Sequence, residues 1–327
     1  MNAIRLSSVL DLLIQQNWAV FLWGAPGIGK SAIVKQVAER HGMPVVDLRA
    51  SLLDSTDLRG IPVVEGGKAV WCPPAFLPQK EDKPGILFLD ELNAAPPLVQ
   101  AAMYQLVLDR RIGEYVLPEG WKIIAAGNRQ TDRAVVFRLS SALSNRFIHI
   151  TLDADMQSWR EWAVKAEIHP LVLGFLHYKP ALLWHVTENE TAFASPRSWE
   201  ILSDTIKVFD NPTELHDFAS GIVGSGPATE FMAFVNDSMS AEELKKILTD
   251  PENAPLPKRL DRLWTLVSYL SVAETAKVNL DAIGALLTRL TPEMSLILVK
   301  NVLQHVPSFM RHPQCVSFVK AHASWFF

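Results

Sequence analysis

Residues 18–31 read WAVFLWGAPGIGKS, and this stretch decides the fold. Trp18 to Trp23 form a short, unbroken apolar run that ends at Gly24, which is typical of a buried parallel strand. Gly24, four intervening residues and then Gly29-Lys30-Ser31 match the phosphate-binding loop pattern. The next segment, SAIVKQVAERHG, has helical spacing, and residues 44–48 (PVVDL) predict a second strand. The order strand, glycine-rich turn, helix and strand indicates a βαβ unit.

The phosphate-binding loop makes specific chemical demands that these residue types meet. Glycines let backbone N–H groups turn inward around a β-phosphate, and the following helix directs its positive end at the same anion. Lys30 is predicted to neutralise the β- and γ-phosphate oxygens, and Ser31 is predicted to bind Mg²⁺. Because the motif lies between a buried strand and an amphipathic helix, we interpret it as a nucleotide site and not as a chance turn. The predicted binding residues are Gly24, Ala25, Pro26, Gly27, Ile28, Gly29, Lys30 and Ser31.

The segment ILFLDE (86–91) supplies the second half of the predicted site. A hydrophobic strand delivers two carboxylates at its carboxyl end, where ligands of open α/β sheets bind. Asp90 is predicted to hold Mg²⁺ through water, and Glu91 to orient and deprotonate the attacking water. Two acids after an apolar run are weak evidence alone, but they become strong evidence about 60 residues after a phosphate loop.

Three more polar residues follow predicted elements in positions that suit catalysis. Asn128 ends the strand IIAAGN, which is expected between the two motif strands, so its side chain could hold the water opposite Glu91. Arg146 in SNRF could reach the nucleotide of a neighbouring subunit as an arginine finger. Arg197, in the helix start SPRSW, could report nucleotide state by reaching the γ-phosphate. The alternative fingers, Arg129, Arg133 and Arg138, stay open.

Periodicity divides the chain into an α/β part and an all-helical part. Up to about residue 152, strands and helices alternate and predict a parallel sheet of five strands, with small hairpins near 61–72 and 110–118. Beyond it the strand signal fades, and the Pro-rich stretch DPENAPLP (250–257) interrupts the helices. The predicted domains are 1–152, 153–249 and 250–327. The predicted helices beyond 152 are 156–167, 198–209, 214–222, 228–236, 241–248, 258–273, 279–290, 292–304 and 313–323.

With these elements in order, the chain resembles an AAA+ ATPase, and more narrowly the MoxR family with its CbbQ, NorQ and RavA-type proteins. The narrower resemblance rests on GAPGIGKS, DELNAAPPLVQAAMYQL, AAGN, LSNRF and ASPRSW. It is good over about 18–240 and poor or absent over about 250–327. Many relatives have a Pro soon after the Asn and a Glu-Gly turn where this chain has AGNRQTDRAVVF, so the choice of finger among residues 129–146 stays open.

The resemblance implies a fold, cofactors and partners. It implies an AAA+ P-loop core (1–152), an all-helical lid (153–249) and a C-terminal helical region (250–327). It assigns Asp90 and Glu91 as the Mg²⁺ and catalytic acids, Asn128 as the first sensor, Arg146 as the finger and Arg197 as the second sensor. It implies ATP and Mg²⁺ as cofactors and a homo-oligomeric ring, usually a hexamer. Such rings use ATP hydrolysis to remodel a client protein, commonly one with a von Willebrand factor A domain.

Composition excludes several classes of protein. The chain of 327 residues is 49% hydrophobic and 20% charged, with a net charge of −4, so neither disorder nor a generally basic nucleic-acid coat is expected. Two cysteines cannot build a disulfide scaffold, and no apolar run reaches the ~20 residues of a membrane span. We therefore expect a cytoplasmic protein without membrane insertion. Six of the ten tryptophans sit in apolar segments and are predicted to be core: Trp18, Trp23, Trp121, Trp162, Trp199 and Trp264.

Three other functions remain as alternatives. A DNA-acting ATPase, such as a transposition helper or a translocase, would need a basic stripe, yet the insert 61–72 carries only Lys68 and Glu65 as charges. A small-molecule kinase would not need the paired acids, Asn128, Arg146 and a helical second domain. A nucleotide-gated scaffold with little turnover would keep every catalytic residue and is not distinguished by sequence.

Overall fold

The computed structural model describes residues 1–132, 137–187, 190–208 and 212–325, which form two compact units, Met1–Ala154 and Asp155–Phe327. The first unit is α/β and the second is helical. In chain order, the elements of the first unit are α1 (Ala3–Leu13), β1 (Ala19–Trp23), α2 (Lys30–Arg40), β2 (Val45–Arg49), α3 (Ser55–Arg59), β3 (Ile61–Glu65), β4 (Lys68–Cys72), β5 (Ile86–Asp90), α4 (Pro97–Asp109), β6 (Arg111–Ile112), β7 (Tyr115–Val116), β8 (Lys122–Gly127), α5 (Ser141–Ser144) and β9 (Phe147–Thr151).

Five parallel strands form the main sheet, in the order β2-β5-β8-β1-β9. This confirms the predicted five-stranded parallel sheet and places β8 between the two motif strands β1 and β5. Successive side chains of β5, from Ile86 to Leu89, are all fully buried, so both faces of the sheet are covered. Burial of each such side chain stabilises the fold by ~1.5–3 kcal/mol relative to exposure. The carboxyl ends of β1, β5 and β8 therefore meet at one edge on a rigid support.

Two small antiparallel hairpins project from the sheet unit where the sequence predicts them. β3 pairs with β4 around Gly66 and Gly67, whose positive φ values of 57° and 77° suit a two-residue hairpin turn. β6 pairs with β7 in the second hairpin. A hydrogen bond of 3.2 Å from the Trp71 N–H to Glu114 Oε2 joins the two hairpins.

The second unit is helical throughout its described residues, apart from one isolated β-bridge between His185 and Ala194. Its helices are α6 (Met156–Lys165), α7 (Pro170–Tyr178), α8 (Pro196–Val208), α9 (Pro212–Val223), α10 (Ser225–Asn236), α11 (Ala241–Thr249), α12 (Leu260–Leu270), α13 (Ala273–Val278), α14 (Leu280–Leu286), α15 (Pro292–His305) and α16 (Pro313–Ala321). One hydrophobic cluster is built from residues of 159–234 and another from residues of 239–318. The boundary near 250 between a lid and a separate C-terminal domain stays a prediction.

The structure differs from the predicted helices of the second unit at three places, one of them the predicted helix 279–290, which ends at Leu286. Helix α7 was not predicted, because burial on all sides gives no one-sided periodicity: the five consecutive residues from Val172 to Leu176 are all buried. The predicted helix 258–273 ends earlier, at Leu270, and a separate helix α13 follows it. Gly174 lets α7 approach α12 closely, since a Cβ there would lie 3.3 Å from the Ser268 hydroxyl oxygen.

Tryptophan burial was predicted only in part. Trp121 and Trp199 are among the largest fully buried side chains, as expected. Trp18 is 59% exposed, so its assignment to the core was wrong. It precedes the first residue of β1 and therefore lies outside the sheet ladder that buries Phe21. Among the described residues, no helix is long and apolar enough to cross a membrane.

Candidate functional site

The backbone between β1 and α2 has the form of an anion cradle. Gly24 follows β1 directly, and a Cβ there would lie 2.7 Å from the Leu152 carbonyl oxygen, so a larger residue would displace the loop. Gly27 and Gly29 have φ values of 78° and 96°, which favour glycine. Within the described residues, no side chain caps the N-terminus of α2 and no backbone hydrogen bond uses the N–H groups of Gly27, Ile28 or Gly29. These donors are therefore available to a phosphate.

Lys30 lies inside this loop and reaches the neighbouring strand. Its Nζ donates to the carbonyl oxygens of Gly24 (2.6 Å) and Ala25 (3.0 Å), and to Asn128 Oδ1 at 2.9 Å. The lysine therefore joins the phosphate loop to the end of β8, as expected if both serve one ligand. Ser31 is half-buried beside it, and its hydroxyl makes no hydrogen bond within the described part of the chain.

Asp90 and Glu91 lie at the carboxyl end of β5 in different environments. Burial raises the pKa of the Asp90 carboxyl, while the N–H of Glu91 (3.0 Å) and the charge of Lys30 oppose that shift. Glu91 has a φ of 55°, a left-handed conformation that non-glycine residues adopt mainly where surrounding structure enforces it. The Ser51 hydroxyl, which follows β2, donates to Glu91 Oε2. The two adjacent carboxylates thus have different partners: Asp90 accepts from the Glu91 N–H, and Glu91 accepts from the Ser51 hydroxyl.

Asn128 is held by a second asparagine that the sequence did not single out. The Asn93 side chain is 3% exposed and bonds both backbone groups of Asn128: its Nδ2 donates to the carbonyl oxygen (2.7 Å), and its Oδ1 accepts from the N–H (3.2 Å). With the backbone fixed, the Asn128 side chain points to Lys30. The structure thus brings Lys30, Asn128, Asp90 and Glu91 to one edge of the sheet.

The structure separates the four candidate fingers. Arg129 is engaged within its own subunit: it bonds Asp132 and Asp153, with shortest side-chain distances of 3.1 Å, and the Asp132 bond raises its pKa. Arg133 lies outside the described residues. Arg138 and Arg146 are exposed and contact no partner among the described residues. Arg146 follows α5, whose N-terminus Ser140 caps. Of the four candidates, Arg138 and Arg146 are therefore the two whose described side chains make no bond within their own subunit.

Arg197 lies in the second unit, as the second residue of α8, and its side chain is exposed. Burial raises the pKa of Glu200 one turn further along this helix, and the charge of Arg197 opposes that shift. Its role as second sensor stays a prediction.

The residues at the sheet edge fit ATP with Mg²⁺. Loop N–H groups and Lys30 would hold the phosphates, while the Ser31 hydroxyl and the Asp90 carboxylate would hold the metal ion. Within the described residues no group of three or more His, Cys, Asp or Glu side chains could hold a metal alone.

Comparisons with known proteins give the same type of domain. Residues 19–147 match the family model of the AAA domain (dynein-related subfamily). Midasin from Giardia intestinalis is 28% identical over 235 residues, which cover 68% of this chain and 5% of midasin, so the chain spans a small part of that relative. Residues 19–147 thus match an AAA domain, and the first unit has the predicted AAA+ P-loop fold. The MoxR assignment is finer than this match and stays a prediction.

Two solved structures of AAA+ proteins are similar to this chain at lower sequence identity than midasin. The Thermotoga maritima RuvB Holliday junction branch migration motor is 16% identical, with a TM-score of 0.36 and coverage of 83% of this chain and 81% of RuvB. NtrX from Brucella abortus in complex with ADP is 15% identical, with a TM-score of 0.43 and coverage of 94% and 68%.

Proposed function

We propose that the chain is a Mg²⁺-dependent ATPase of the AAA+ class that works as a ring and remodels a partner protein, in the manner of the MoxR family. The observation that carries the ATPase proposal is the contact of 2.9 Å between Lys30 Nζ and Asn128 Oδ1. This contact joins the phosphate loop to the predicted sensor residue, Asn128, at the edge of the sheet where β5 ends with Asp90 and is followed by Glu91. An AAA domain over residues 19–147 supports the same proposal.

The residues divide the chemistry among themselves. Lys30 and the loop N–H groups bind the β- and γ-phosphates and offset their charge. Ser31 and Asp90 hold Mg²⁺, which supplies charge neutralisation on the phosphate oxygens. Glu91 accepts a proton from the attacking water, and Asn128 orients that water from the opposite side. Ser51 keeps the Glu91 carboxylate in place through its hydroxyl donor.

The ring is part of the proposal because, in the part of the chain that the structure describes, no arginine side chain bonds the phosphate loop, Asp90 or Glu91. Arg129 is occupied by Asp132 and Asp153, whereas Arg146 is exposed and without a partner among the described residues. We assign Arg146 to the nucleotide of the neighbouring subunit, with Arg133 and Arg138 as the alternatives. A hexamer is the expected assembly, and Arg197 is assigned the role of second sensor.

The client is a protein, and a von Willebrand factor A domain is the class that the MoxR resemblance favours. Affinity capture with a Glu91→Gln variant in ATP tests this, because a ring that binds but does not hydrolyse ATP holds its client longest. The free thiols of Cys72 and Cys315 fit the proposed cytoplasmic location. DNA action is the main alternative, and ATP hydrolysis that rises on adding DNA at low salt would favour it.

The decisive experiment separates binding from hydrolysis. Lys30→Ala is expected to lose nucleotide affinity, because the phosphate charge goes uncompensated. Glu91→Gln is expected to retain ATP binding and to lose phosphate release. Fluorescent-nucleotide binding and phosphate release are measured for both variants and for the wild type, with and without Mg²⁺. Hydrolysis by Glu91→Gln at the wild-type rate would remove the assignment of the base, and absence of ATP binding by the wild type would remove the proposed function.

A further inference from the structure

Asn93 connects three segments of the site without facing the predicted nucleotide position itself. It lies in the short 3₁₀ turn Leu92–Ala94 that follows Asp90 and Glu91, and its side chain is 3% exposed. Both polar atoms of its amide bond the backbone of Asn128, at 2.7 Å and 3.2 Å. Its own carbonyl oxygen accepts from the N–H of Phe137 at 2.7 Å. One residue therefore fixes the end of β8 and residue 137, directly before the candidate finger Arg138.

Steric fit shows how closely Asn93 approaches β8. A Cβ on Gly127 would lie 2.2 Å from Asn93 Oδ1 and 2.8 Å from its Cγ. Only glycine therefore permits this approach, and the amide lies directly against the strand end. Because Asn128 then directs its side chain at Lys30, 2.9 Å away, a shift of this backbone would move the amide that meets the water.

We propose that Asn93 is the positioning residue of the site: it sets the place of the Asn128 amide relative to Glu91, and so sets the rate of hydrolysis but not ATP affinity. The inference rests on the proposed function. Asn93 is not a catalytic residue, because its amide is used on backbone atoms of Asn128. Small misplacement of a group that orients a reactant can cost about 100-fold in rate. Loss of Asn93 is therefore expected to act on kcat.

Asn93→Ala is compared with Gln100→Met in the full-length protein with ATP and Mg²⁺. Gln100 is a matched control: it is also a buried amide, in α4, and it donates to the Ala95 carbonyl oxygen (3.0 Å) and makes no hydrogen bond to Asn128. Asn93→Ala is expected to lower kcat by about 10- to 100-fold with ATP affinity unchanged within about 3-fold. Gln100→Met is expected to lower the melting temperature while leaving kcat near wild type. Equal effects of the two variants on kcat would overturn the proposal.

A double-mutant cycle tests whether Asn93 acts through Asn128. In an Asn128→Ala background the amide to be positioned is absent, so Asn93→Ala is expected to lower kcat by no more than about 2-fold further. A further loss as large as in the wild-type background would show that Asn93 acts by another route, and would overturn the proposal.

Two measurements keep the proposal testable if hydrolysis or folding fails. Hydrogen exchange of the Asn128 amide does not need ATPase activity: Asn93→Ala is expected to speed it, and Gln100→Met is not. If Asn93→Ala leaves the exchange rate of the Asn128 amide unchanged, the inference is overturned. If Asn93→Ala speeds this exchange but the wild type has no ATPase activity, only the proposed function is removed. If Asn93→Ala does not fold, Asn93→Asp is used. Its carboxylate repels the Asn128 carbonyl oxygen until it is protonated, so its kcat relative to wild type is expected to rise as the pH is lowered, and a flat ratio would overturn the proposal.

Discussion

Replacement of His177 by phenylalanine is expected to make the helical unit less sensitive to acid. His177 lies on α7, and its ring stacks on Trp264 with a centroid distance of 4.6 Å and an interplanar angle of 7°. Its Nε2 is buried and has no hydrogen-bond partner among the described residues. Burial first, and the nearby charge of Arg160 second, together lower the pKa of His177 from 6.5 to about 3. Phenylalanine would keep the stack and remove the buried nitrogen.

The size of the effect follows from the two pKa values. Because the folded pKa is depressed, the neutral ring is the native form, and protonation of the unfolded chain destabilises the native state below pH 6.5. One pKa unit corresponds to about 1.4 kcal/mol, so lowering the pH from 7 to 5 removes about 2 kcal/mol of unfolding free energy through this histidine. His169, with a pKa lowered to about 4 by burial, adds a separate loss of similar sign. His177→Phe is therefore expected to abolish about half of the loss of unfolding free energy that these two histidines cause between pH 7 and pH 5.

Urea unfolding of wild type and His177→Phe at pH 7 and pH 5, followed by circular dichroism, measures this difference. At pH 7 the variant is expected to be as stable as wild type or more so, since an unpaired buried polar atom is lost. At pH 5 its advantage is expected to grow by about 2 kcal/mol. His216→Gln, on an exposed histidine, is the control and is expected to follow wild type. A pH dependence of His177→Phe identical to that of wild type would refute the reasoning.

Three further changes test the site. Without nucleotide, Asp90→Asn is expected to melt at a higher temperature than wild type, because burial raises the pKa of Asp90 and makes its ionised form unfavourable at neutral pH. The same variant is expected to lose phosphate release. A lower melting temperature, measured by calorimetry, would contradict the first expectation. Gly127→Ala is expected to lower the unfolding free energy by ~1–3 kcal/mol and to slow hydrolysis, since its Cβ would overlap Asn93. Gly221→Ala, which has open space around the new Cβ, is the control. Equal unfolding free energies of the two variants would exclude the clash. Arg146→Ala is expected to bind ATP but to hydrolyse it ~10³-fold more slowly, and mixing it with Glu91→Gln is expected to restore some phosphate release. An inactive mixture would show that Arg146 is not the trans finger and would leave Arg133 and Arg138 as the candidates.

The sheet could be predicted because its signals are local. β1 and β5 are apolar runs ended by the residues predicted to bind the nucleotide, and their parallel order follows from the helices between them. Trp18 shows where this reasoning fails: it continues the apolar run in sequence, yet it lies before the first ladder residue and is exposed. Helix α7 was missed for the opposite reason: it is buried on all sides, and such a helix lacks the one-sided apolar pattern by which sequence analysis identifies helices.

The predicted site is local in the same sense. The loop residues, Asp90, Glu91 and Asn128 each follow a strand, so the topology alone brings them to one edge. The side chains that hold them in place are separated from them in sequence: Ser51 precedes Glu91 by 40 residues, and Asn93 precedes Asn128 by 35. Neither pairing follows a periodic pattern, and each depends on strands β2, β5 and β8 being neighbours. Only the folded sheet reveals them.

The arginines show what a sequence motif can and cannot specify. The sequence does not distinguish Arg129, Arg138 and Arg146 from one another. An arginine finger must reach the nucleotide of a neighbouring subunit, so its guanidinium must not be bonded within its own subunit. Two carboxylates, Asp132 and Asp153, hold Arg129 on its own chain, and freeing it would leave Asp132, with a side chain 3% exposed, without its partner. A buried carboxylate without its cation is strongly unfavourable. Arg129 thus stabilises the turn after Asn128, and Arg133, Arg138 and Arg146 stay the candidates for the trans-acting finger.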